Sequence, residues 1–165
     1  ESLAILAGAE PDMQTVPTTF ETLSAPARQV LAQADAVVVG PGLGRAPGRL
    51  RLVAEVAAAC RAPLVVDADG LMAFAGAAAE LGRLAADRVM VVTPHAGEYR
   101  ALFPADASRL GTDPWSAAVA AAESLGATVL LKGVPTVVAM LGQAPITVAA
   151  SSSTVMPAGS RSRTT

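Results

Sequence analysis

Four short, mainly apolar runs, each ending at a glycine-rich or polar turn, constrain the fold of this chain more than any other feature. The runs lie at residues 36–39, 64–66, 88–93 and 128–131. They are too short for helices and lack the alternation of half-exposed strands, so they indicate strands buried on both faces. Strands of that kind form parallel sheets covered by helices. We therefore predict an α/β fold, a three-layer αβα arrangement with a mostly parallel sheet.

The segments between these runs predict the helices that cover the sheet. Ser24 is a candidate N-cap, Asp113-Pro114 is a helix start, and Gly126 is a helix stop. Gly76 and Gly82 are expected to interrupt a helix over 71–84. The other helices are predicted at 26–34, 47–59, 97–102 and 114–125. Further strands are predicted at 3–7, 136–140 and 146–149, the last two as a hairpin, with an irregular connection over 8–19.

Composition limits the class of protein. The 165 residues suffice for one core, which must be built from small aliphatic side chains because 52% of the chain is hydrophobic and only 3% aromatic. A net charge of −2 without a basic stripe argues against nucleic acid, and we find no long uncharged apolar window for a membrane span. The single cysteine, Cys60, permits no intrachain disulfide and fits a cytoplasmic protein.

Both ends of the chain differ from its middle. The start, Glu1-Ser2-Leu3, lacks an initiator methionine, so we expect the chain to begin inside a longer protein. Residues 151–165 show neither periodicity nor an apolar face. We predict one domain over 1–150, followed by an irregular or disordered tail over 151–165.

Each of the four predicted strands ends in residues suited to ligand chemistry. The segments are GPGLG at 40–44, DADG at 67–70, TPHAGE at 93–98 and KGVPT at 132–136. Parallel strands place their carboxyl ends at one edge of the sheet, where open α/β sheets bind ligands. The four segments together therefore favour a small-molecule site at that edge.

The GPGLG segment is not a known nucleotide fingerprint. A dinucleotide-binding turn needs glycine or alanine three residues after Gly42, but Arg45 stands there, and no Walker-type phosphate loop occurs in the chain. The segment is either a glycine turn that lets a ligand approach the backbone, with Gly42 and Gly44 as candidate contacts, or only a tight strand-to-helix turn.

The polar residues at the other strand ends also allow two interpretations. Asp67 and Asp69 could bind a hydroxyl, a magnesium ion or a water, or could cap the following helix. His95, the only histidine, could contact a ligand or be a loop residue without a role. Lys132, the only lysine, could bind a phosphate as a point charge or be a solvated turn residue.

These four segments, in this order and spacing, resemble the ADP-dependent NAD(P)H-hydrate dehydratases, relatives of the ribokinase-like sugar kinases. The resemblance covers about residues 20–150. It implies a ribokinase-like fold and a metabolite-repair reaction, in which ADP with Mg²⁺ phosphorylates the ring hydroxyl of hydrated NADH or NADPH, and phosphate then leaves. The implied hydrate-binding residues are Gly42, Gly44, Asp67 and His95. The implied nucleotide-binding residues are Lys132, Gly133, Val134, Pro135 and Thr136.

One motif of that family is missing. Its G-[ST]-G-D segment, which binds the transferred phosphate and supplies the catalytic aspartate, occurs nowhere in this sequence. We therefore expect a dehydratase domain truncated at both ends, with impaired activity, and assign no catalytic residue and no metal ligand. Two alternatives stay open: a ribokinase-like vitamin-precursor kinase, and a non-catalytic nucleotide-binding fragment. Assembly into a homo-oligomer, and any preference between NADH and NADPH hydrate, are also left open.

Overall fold

The computed structural model describes residue 16, residue 19 and residues 22–148. The predicted strand at 3–7, nearly all of the connection at 8–19 and the predicted tail at 151–165 lie outside these residues. The strands are β1 Val37–Val39, β2 Leu64–Val66, β3 Met90–Val92, β4 Thr128–Leu131, β5 Thr136–Ala139 and β6 Ile146–Val148. The helices are α1 Ala25–Ala32, α2 Arg49–Ala59, α3 Asp69–Met72, α4 Ala78–Arg83, α5 Ala96–Leu102, α6 Arg109–Thr112 and α7 Pro114–Leu125, with a 3₁₀ turn at Pro104–Asp106.

The six strands form one mixed sheet in the order β1-β2-β3-β4-β5-β6. Strands β1 to β4 pair in parallel, while β5 and β6 pair antiparallel. This arrangement confirms the α/β class and the closing hairpin. Strand β4 runs directly into the hairpin, as predicted, and the first three parallel strands are each followed by helices.

Turn chemistry places most of the predicted helix ends correctly. Ser24 caps α1 by accepting a hydrogen bond from the Ala27 N–H, and Asp113 caps α7 by accepting one from the Ser116 N–H. Gly126 ends α7 in the left-handed conformation, with φ 62°. The start of α2 was predicted two residues early, because Gly48 adopts φ 89° and cannot be part of the helix.

The core is built from small aliphatic side chains, as the low aromatic content requires. Helix α7 buries a face made almost entirely of alanine, which allows its backbone to approach neighbouring elements closely. Gly82 is part of this contact, since a Cβ there would lie 3.3 Å from the backbone of Leu125. The expectation that Gly82 interrupts its helix is therefore wrong, whereas Gly76, at φ 70°, does separate α3 from α4.

The turns that follow β1 and β2 pack against each other with no room for side chains. A Cβ on Gly40 would lie 1.8 Å from the Asp67 carbonyl oxygen, and a Cβ on Gly70 would lie 2.8 Å from the Val39 carbonyl oxygen. Both contacts are with backbone atoms, which cannot turn aside as a flexible side chain can. The first glycine of GPGLG thus serves the packing of two strand ends, a role that needs no ligand.

No helix within the described residues has the length and apolar character needed to cross a membrane.

Gly70→Ala tests this close packing. We expect the variant to lower the free energy of unfolding by about 1–3 kcal/mol, the usual cost of inserting a methyl group into a filled site. Gly111→Ala is the matched control, because Gly111 also lies in a short helix without positive φ and has open space around it. That change should be neutral, or stabilise by up to about 1 kcal/mol. Equal effects of the two substitutions in urea titrations would contradict the packing.

Candidate functional site

Strands β2, β3 and β4 bring three predicted site residues together at the carboxyl edge of the sheet. The parallel pairing continues past β3 and β4 as a bridge between His95 and Lys132, and the Lys132 N–H donates to the Pro94 carbonyl at 2.8 Å. The Lys132 ammonium then reaches across β3, where its Nζ donates to Asp67 Oδ1 at 2.7 Å. The interpretation of Lys132 as a solvated turn lysine is therefore wrong.

The ion pair controls the charge of Asp67. Burial raises the pKa of this carboxyl, but hydrogen bonds from Lys132 and the Ala68 N–H favour the ionised form, as does the positive charge of Lys132. The Thr93 hydroxyl also lowers the pKa of Asp67, although it does not meet the geometry of a full hydrogen bond. The net result is a pKa below the ordinary 3.8. Asp67 therefore carries a negative charge at neutral pH.

His95 has a structural role at the start of α5. Its Nδ1 accepts hydrogen bonds from the N–H groups of Gly97 and Glu98, at 2.9 and 3.2 Å. A nitrogen that accepts carries no proton, so in the neutral ring the proton lies on Nε2. The interpretation of His95 as a loop residue without a role is wrong, because it is the N-cap of the helix. The side chain is nevertheless 57% exposed, which leaves it accessible to a ligand.

Glu98 is part of this site, although our sequence analysis did not select it. Its Oε2 accepts from the His95 backbone N–H at 2.8 Å and lies 3.8 Å from Lys132 Nζ, while its Oε1 lies 3.3 Å from His95 Nε2. The side chain is only 6% exposed. The spacing of His95 and Glu98 is that of a capping box, and this signal could have identified the residue.

Helix α5, which carries this capping box, is anchored to the core. Tyr99 is fully buried, and its hydroxyl donates to the Ala117 carbonyl of α7 at 3.1 Å. Burying an aromatic ring with a satisfied hydroxyl holds the helix in place. The positions of His95 and Glu98 thus depend on the core as well as on the sheet edge.

Asp69 links the GPGLG turn to the end of β2. Its Oδ2 accepts from the Gly44 N–H at 3.0 Å, and its Oδ1 pairs with Arg45 Nε at 3.3 Å. Asp69 is itself the first residue of α3, so the interpretation of it as a helix cap is wrong. The carboxylate instead fixes the position of a loop.

Gly42 and Gly44 lie in this turn with φ 74° and 73°. Neither has backbone close to the position that a Cβ would occupy, in contrast to Gly40. The structure thus separates the glycines of this segment: Gly40 is required by packing, whereas Gly42 and Gly44 form an accessible turn. The packing role is thus confirmed for Gly40, while ligand contact at Gly42 and Gly44 stays a prediction.

The predicted nucleotide-binding residues form the turn between β4 and β5. It contains a cis peptide bond between Val134 and Pro135, and the Thr136 hydroxyl donates to the Gly133 carbonyl at 3.1 Å. Val134 is 98% exposed. A cleft of about 240 Å³ adjoins this turn, and the start of α5, α6 and the start of α7 complete its wall. It is smaller than the range of about 300–1,000 Å³ usual for whole ligands, and suits one part of a ligand.

Among residues 22–148, no three histidine, cysteine or acidic side chains lie close enough together to hold a metal ion. A Mg²⁺ ion can instead be held by one or two carboxylates together with the phosphates of a bound nucleotide. Asp67, whose side chain is 29% exposed, is the accessible carboxylate beside Lys132. Its oxygens are ligands of the kind that Mg²⁺ prefers, so the residues present fit an ion that arrives with a nucleotide.

The capping role of His95 can be measured by stability. His95→Ala should lower the free energy of unfolding by about 1 kcal/mol, since it removes the acceptor for two helix N–H groups. His95→Asn is the matched variant, because asparagine is among the best N-caps and should retain most of that stability. Equal stability of the wild type and the alanine variant in urea titrations would show that His95 is not a cap.

The Asp67–Lys132 pair should appear in the pH dependence of stability. Because folding lowers the pKa of Asp67, its contribution is complete above the ordinary value of 3.8 and is lost as the pH falls through the lower folded value. The free energy of unfolding of the wild type should therefore exceed that of Asp67→Asn at pH 5–7, and the difference should shrink below about pH 4.

Lys132→Gln supplies the control for this pH series. In that background the effect of Asp67→Asn should be smaller, because the partner that lowers the pKa has gone. A difference between wild type and Asp67→Asn that grows as the pH falls would mean that the carboxyl is not stabilised in its ionised form.

Comparison with known proteins identifies the family. The sequence profile described as NAD(P)H-hydrate dehydratase matches residues 4–160. The bifunctional NAD(P)H-hydrate repair enzyme Nnr of Salinibacter ruber is 44% identical over 146 residues, which is 82% of this chain and 26% of that protein. The chain thus spans about a quarter of the length of this curated relative.

Two solved structures show the fold. An ADP/ATP-dependent NAD(P)H-hydrate dehydratase from Bacillus subtilis, co-crystallised with ATP and Mg²⁺, matches with a TM-score of 0.65 at 20% identity, over 88% of this chain and 49% of its own. A ribokinase-like superfamily protein from Enterococcus faecalis matches with a TM-score of 0.58 at 22% identity, over 73% of this chain and 40% of its own. These matches confirm the ribokinase-like fold, and the sequence profile shows that the chain belongs to the NAD(P)H-hydrate dehydratase family.

Proposed function

We propose that this chain binds hydrated NADH or NADPH and a nucleotide phosphoryl donor, ADP, at the carboxyl edge of its sheet. These are the reactants of a metabolite-repair reaction that restores the reduced nicotinamide nucleotide. The observation that carries the proposal is the cluster of Lys132, Asp67, Glu98 and His95, which lies on the same edge as the accessible GPGLG turn. Membership of the dehydratase family supports this assignment.

In this reaction the protein mainly positions the reactants and supplies charge that stabilises the transition state. The ring hydroxyl of the hydrate loses its proton and accepts the terminal phosphoryl group of ADP, which leaves AMP. Phosphate then leaves with the C–O bonding electrons while the adjacent ring carbon loses a proton, and the ring double bond is restored. Phosphoryl transfer needs little covalent help, because the transition state is stabilised by cations and aligned donors. Lys132 is the cation that this edge supplies beside the turn after β4.

The nucleotide is assigned to the turn after β4. Lys132 opens this turn, and the adjoining cleft offers an apolar wall that includes Pro135, Pro114 and Leu110. An apolar cleft beside a single ammonium group suits a nucleotide, with the base in the cleft and the phosphates towards Lys132. Gly133 and Thr136 close the turn by their own hydrogen bond, so Thr136 contacts phosphate only if that bond opens.

The hydrate is assigned to the turn after β1, with His95 beside it. Gly42 and Gly44 leave room for a ligand to approach the backbone, and His95 is exposed on the neighbouring part of the edge. Adjacent strands lie about 4.8 Å apart, so β1 and β4 are separated by about 14 Å. Two ligands placed at these turns can meet above β2 and β3, where Asp67 lies.

Magnesium is assigned to the phosphates of the nucleotide, with Asp67 as the carboxylate within reach. When bound, such an ion neutralises charge on the phosphates. In this chain Asp67 accepts a hydrogen bond from the Lys132 ammonium group. The carboxylate therefore positions that ammonium group even when no metal ion is bound.

The proposal concerns binding by this chain. Impaired turnover, expected because the G-[ST]-G-D motif is absent from the sequence, stays a prediction, as do the cytoplasmic location and the number of chains that assemble. A vitamin-precursor kinase of the same fold would bind nucleotide without the hydrate, and a nucleotide-binding fragment would do the same. Titration with both ligands therefore separates the proposal from its alternatives.

Lys132→Met tests the nucleotide site. We expect the chain to bind ADP with Mg²⁺ and to bind NADPH hydrate. The variant should weaken ADP binding by about 1–3 kcal/mol, the value of a charge-assisted hydrogen bond in a partly wet site. Arg61→Met is a control of equal charge, since Arg61 lies just before β2 at the opposite edge of the sheet.

Calorimetry measures both effects, and thermal unfolding of each variant shows whether the fold is retained. Unchanged ADP affinity in Lys132→Met would contradict the nucleotide assignment. Binding of ADP without any binding of the hydrate would favour the kinase or the nucleotide-binding fragment instead.

A further inference from the structure

A cavity on the proposed hydrate side of the edge lies beside the GPGLG turn and has no role so far. Its volume is about 370 Å³, which falls within the usual size range of ligand sites, about 300–1,000 Å³. The turn after β1 and the first turn of α2 form one wall, and the end of α3 forms the other. The lining includes Gly44, Arg45, Gly48, Arg49, Leu50 and Met72.

Two arginine side chains line this cavity. Arg45 is 72% exposed, and its Nε is held by Asp69 Oδ1 at 3.3 Å. Asp69 also accepts from the Gly44 N–H, so one carboxylate ties both the arginine and the turn to the end of β2. Nη2 of Arg49 lies 3.9 Å from the position that a Cβ on Gly44 would take. The two arginines therefore flank Gly44, one of the residues assigned to the hydrate.

The charge of the cavity indicates what kind of group it would take. Among the residues that the structure describes, the lining includes two arginines and no acidic side chain, and Asp69 pairs with Arg45 from outside the lining. The guanidinium group presents planar donors that match the oxygens of a phosphate in pairs, and it is weakly hydrated, so it binds phosphate at modest desolvation cost. Leu50 and Met72 supply apolar surface on the same walls, against which a sugar or base can pack.

We propose that Arg45 and Arg49 bind the phosphate groups of the dinucleotide hydrate, and that this cavity receives the part of the hydrate remote from its reacting ring. The proposal rests on the proposed function and assigns a subsite within it. Gly44 lines this cavity and lies in the turn assigned to the hydrate, so a ligand anchored by the arginines would also contact that turn. The adenine nucleotide ADP also carries phosphates, but it is assigned to the other end of the edge, at Lys132.

The test compares two arginine variants with a matched control on the same helix. Arg45→Met and Arg49→Met each remove one positive charge from the cavity. Arg51→Met removes one positive charge from α2 outside the cavity, since Arg51 is not among the lining residues. Arg51 is 75% exposed and pairs with Glu55. Each protein is titrated with NADPH hydrate and, separately, with ADP and Mg²⁺, and thermal unfolding is recorded for each.

We expect each cavity variant to lose about tenfold or more in affinity for NADPH hydrate, the scale of a lost charge-assisted hydrogen bond. Their affinity for ADP should stay within about twofold, and Arg51→Met should change neither. Arg49→Lys should recover only part of the loss, because lysine keeps the charge but lacks the paired donors. If Arg49→Met does not fold, Arg45→Met still decides, since an exposed ion pair contributes only about 0–1 kcal/mol to stability.

The outcomes separate this subsite from the function on which it rests. Hydrate binding by the unsubstituted chain with no loss in Arg45→Met and Arg49→Met would overturn the subsite and leave the proposed function in place. A loss of ADP affinity with hydrate affinity unchanged would show that the arginines serve the phosphoryl donor, and would also overturn it. No hydrate binding by the unsubstituted chain would overturn the proposed function and the subsite together.

Discussion

The ion pair between Lys132 and Asp67 connects the parts of the site that come from distant points in the chain. It joins the end of β4 to the end of β2 across 65 residues of sequence, at 2.7 Å. In the first turn of α5, the buried carboxylate of Glu98 lies 3.8 Å from the same ammonium group and completes the cap at His95. A buried carboxylate requires a compensating positive charge or hydrogen bonds, and this arrangement provides both. One lysine thus links the two carboxylates of the edge, Asp67 and Glu98.

Local rules predicted the elements of the fold well, because caps and turns act within a few residues. Ser24 and Asp113 begin helices, Gly126 ends one, and the apolar runs form the parallel strands. Gly82 was interpreted wrongly because its purpose is contact with Leu125, a residue of another helix. A glycine needed for close approach looks the same in a sequence as one that ends a helix.

The same distinction separates the predicted from the unpredicted parts of the site. Sequence reasoning placed Asp67, His95 and Lys132 on one edge, since parallel strands share their carboxyl ends. It could not show that Asp69 holds the Gly44 turn, or that Glu98 lies within reach of Lys132, because these contacts join separate loops. His95 turned out to cap a helix and to stay exposed, a combination that neither sequence interpretation contained.

Mapping where each ligand contacts the chain tests the central claim most directly, namely that both bind along the carboxyl edge at opposite ends. Backbone amide NMR shifts of the chain can be followed during separate titrations with ADP plus Mg²⁺ and with NADPH hydrate. We expect ADP to shift amides of residues 132–136, and the hydrate to shift amides of residues 42–44 and of the turn at His95. Shifts confined to the opposite edge, around residues 60–63, or no shifts with either ligand, would contradict the claim.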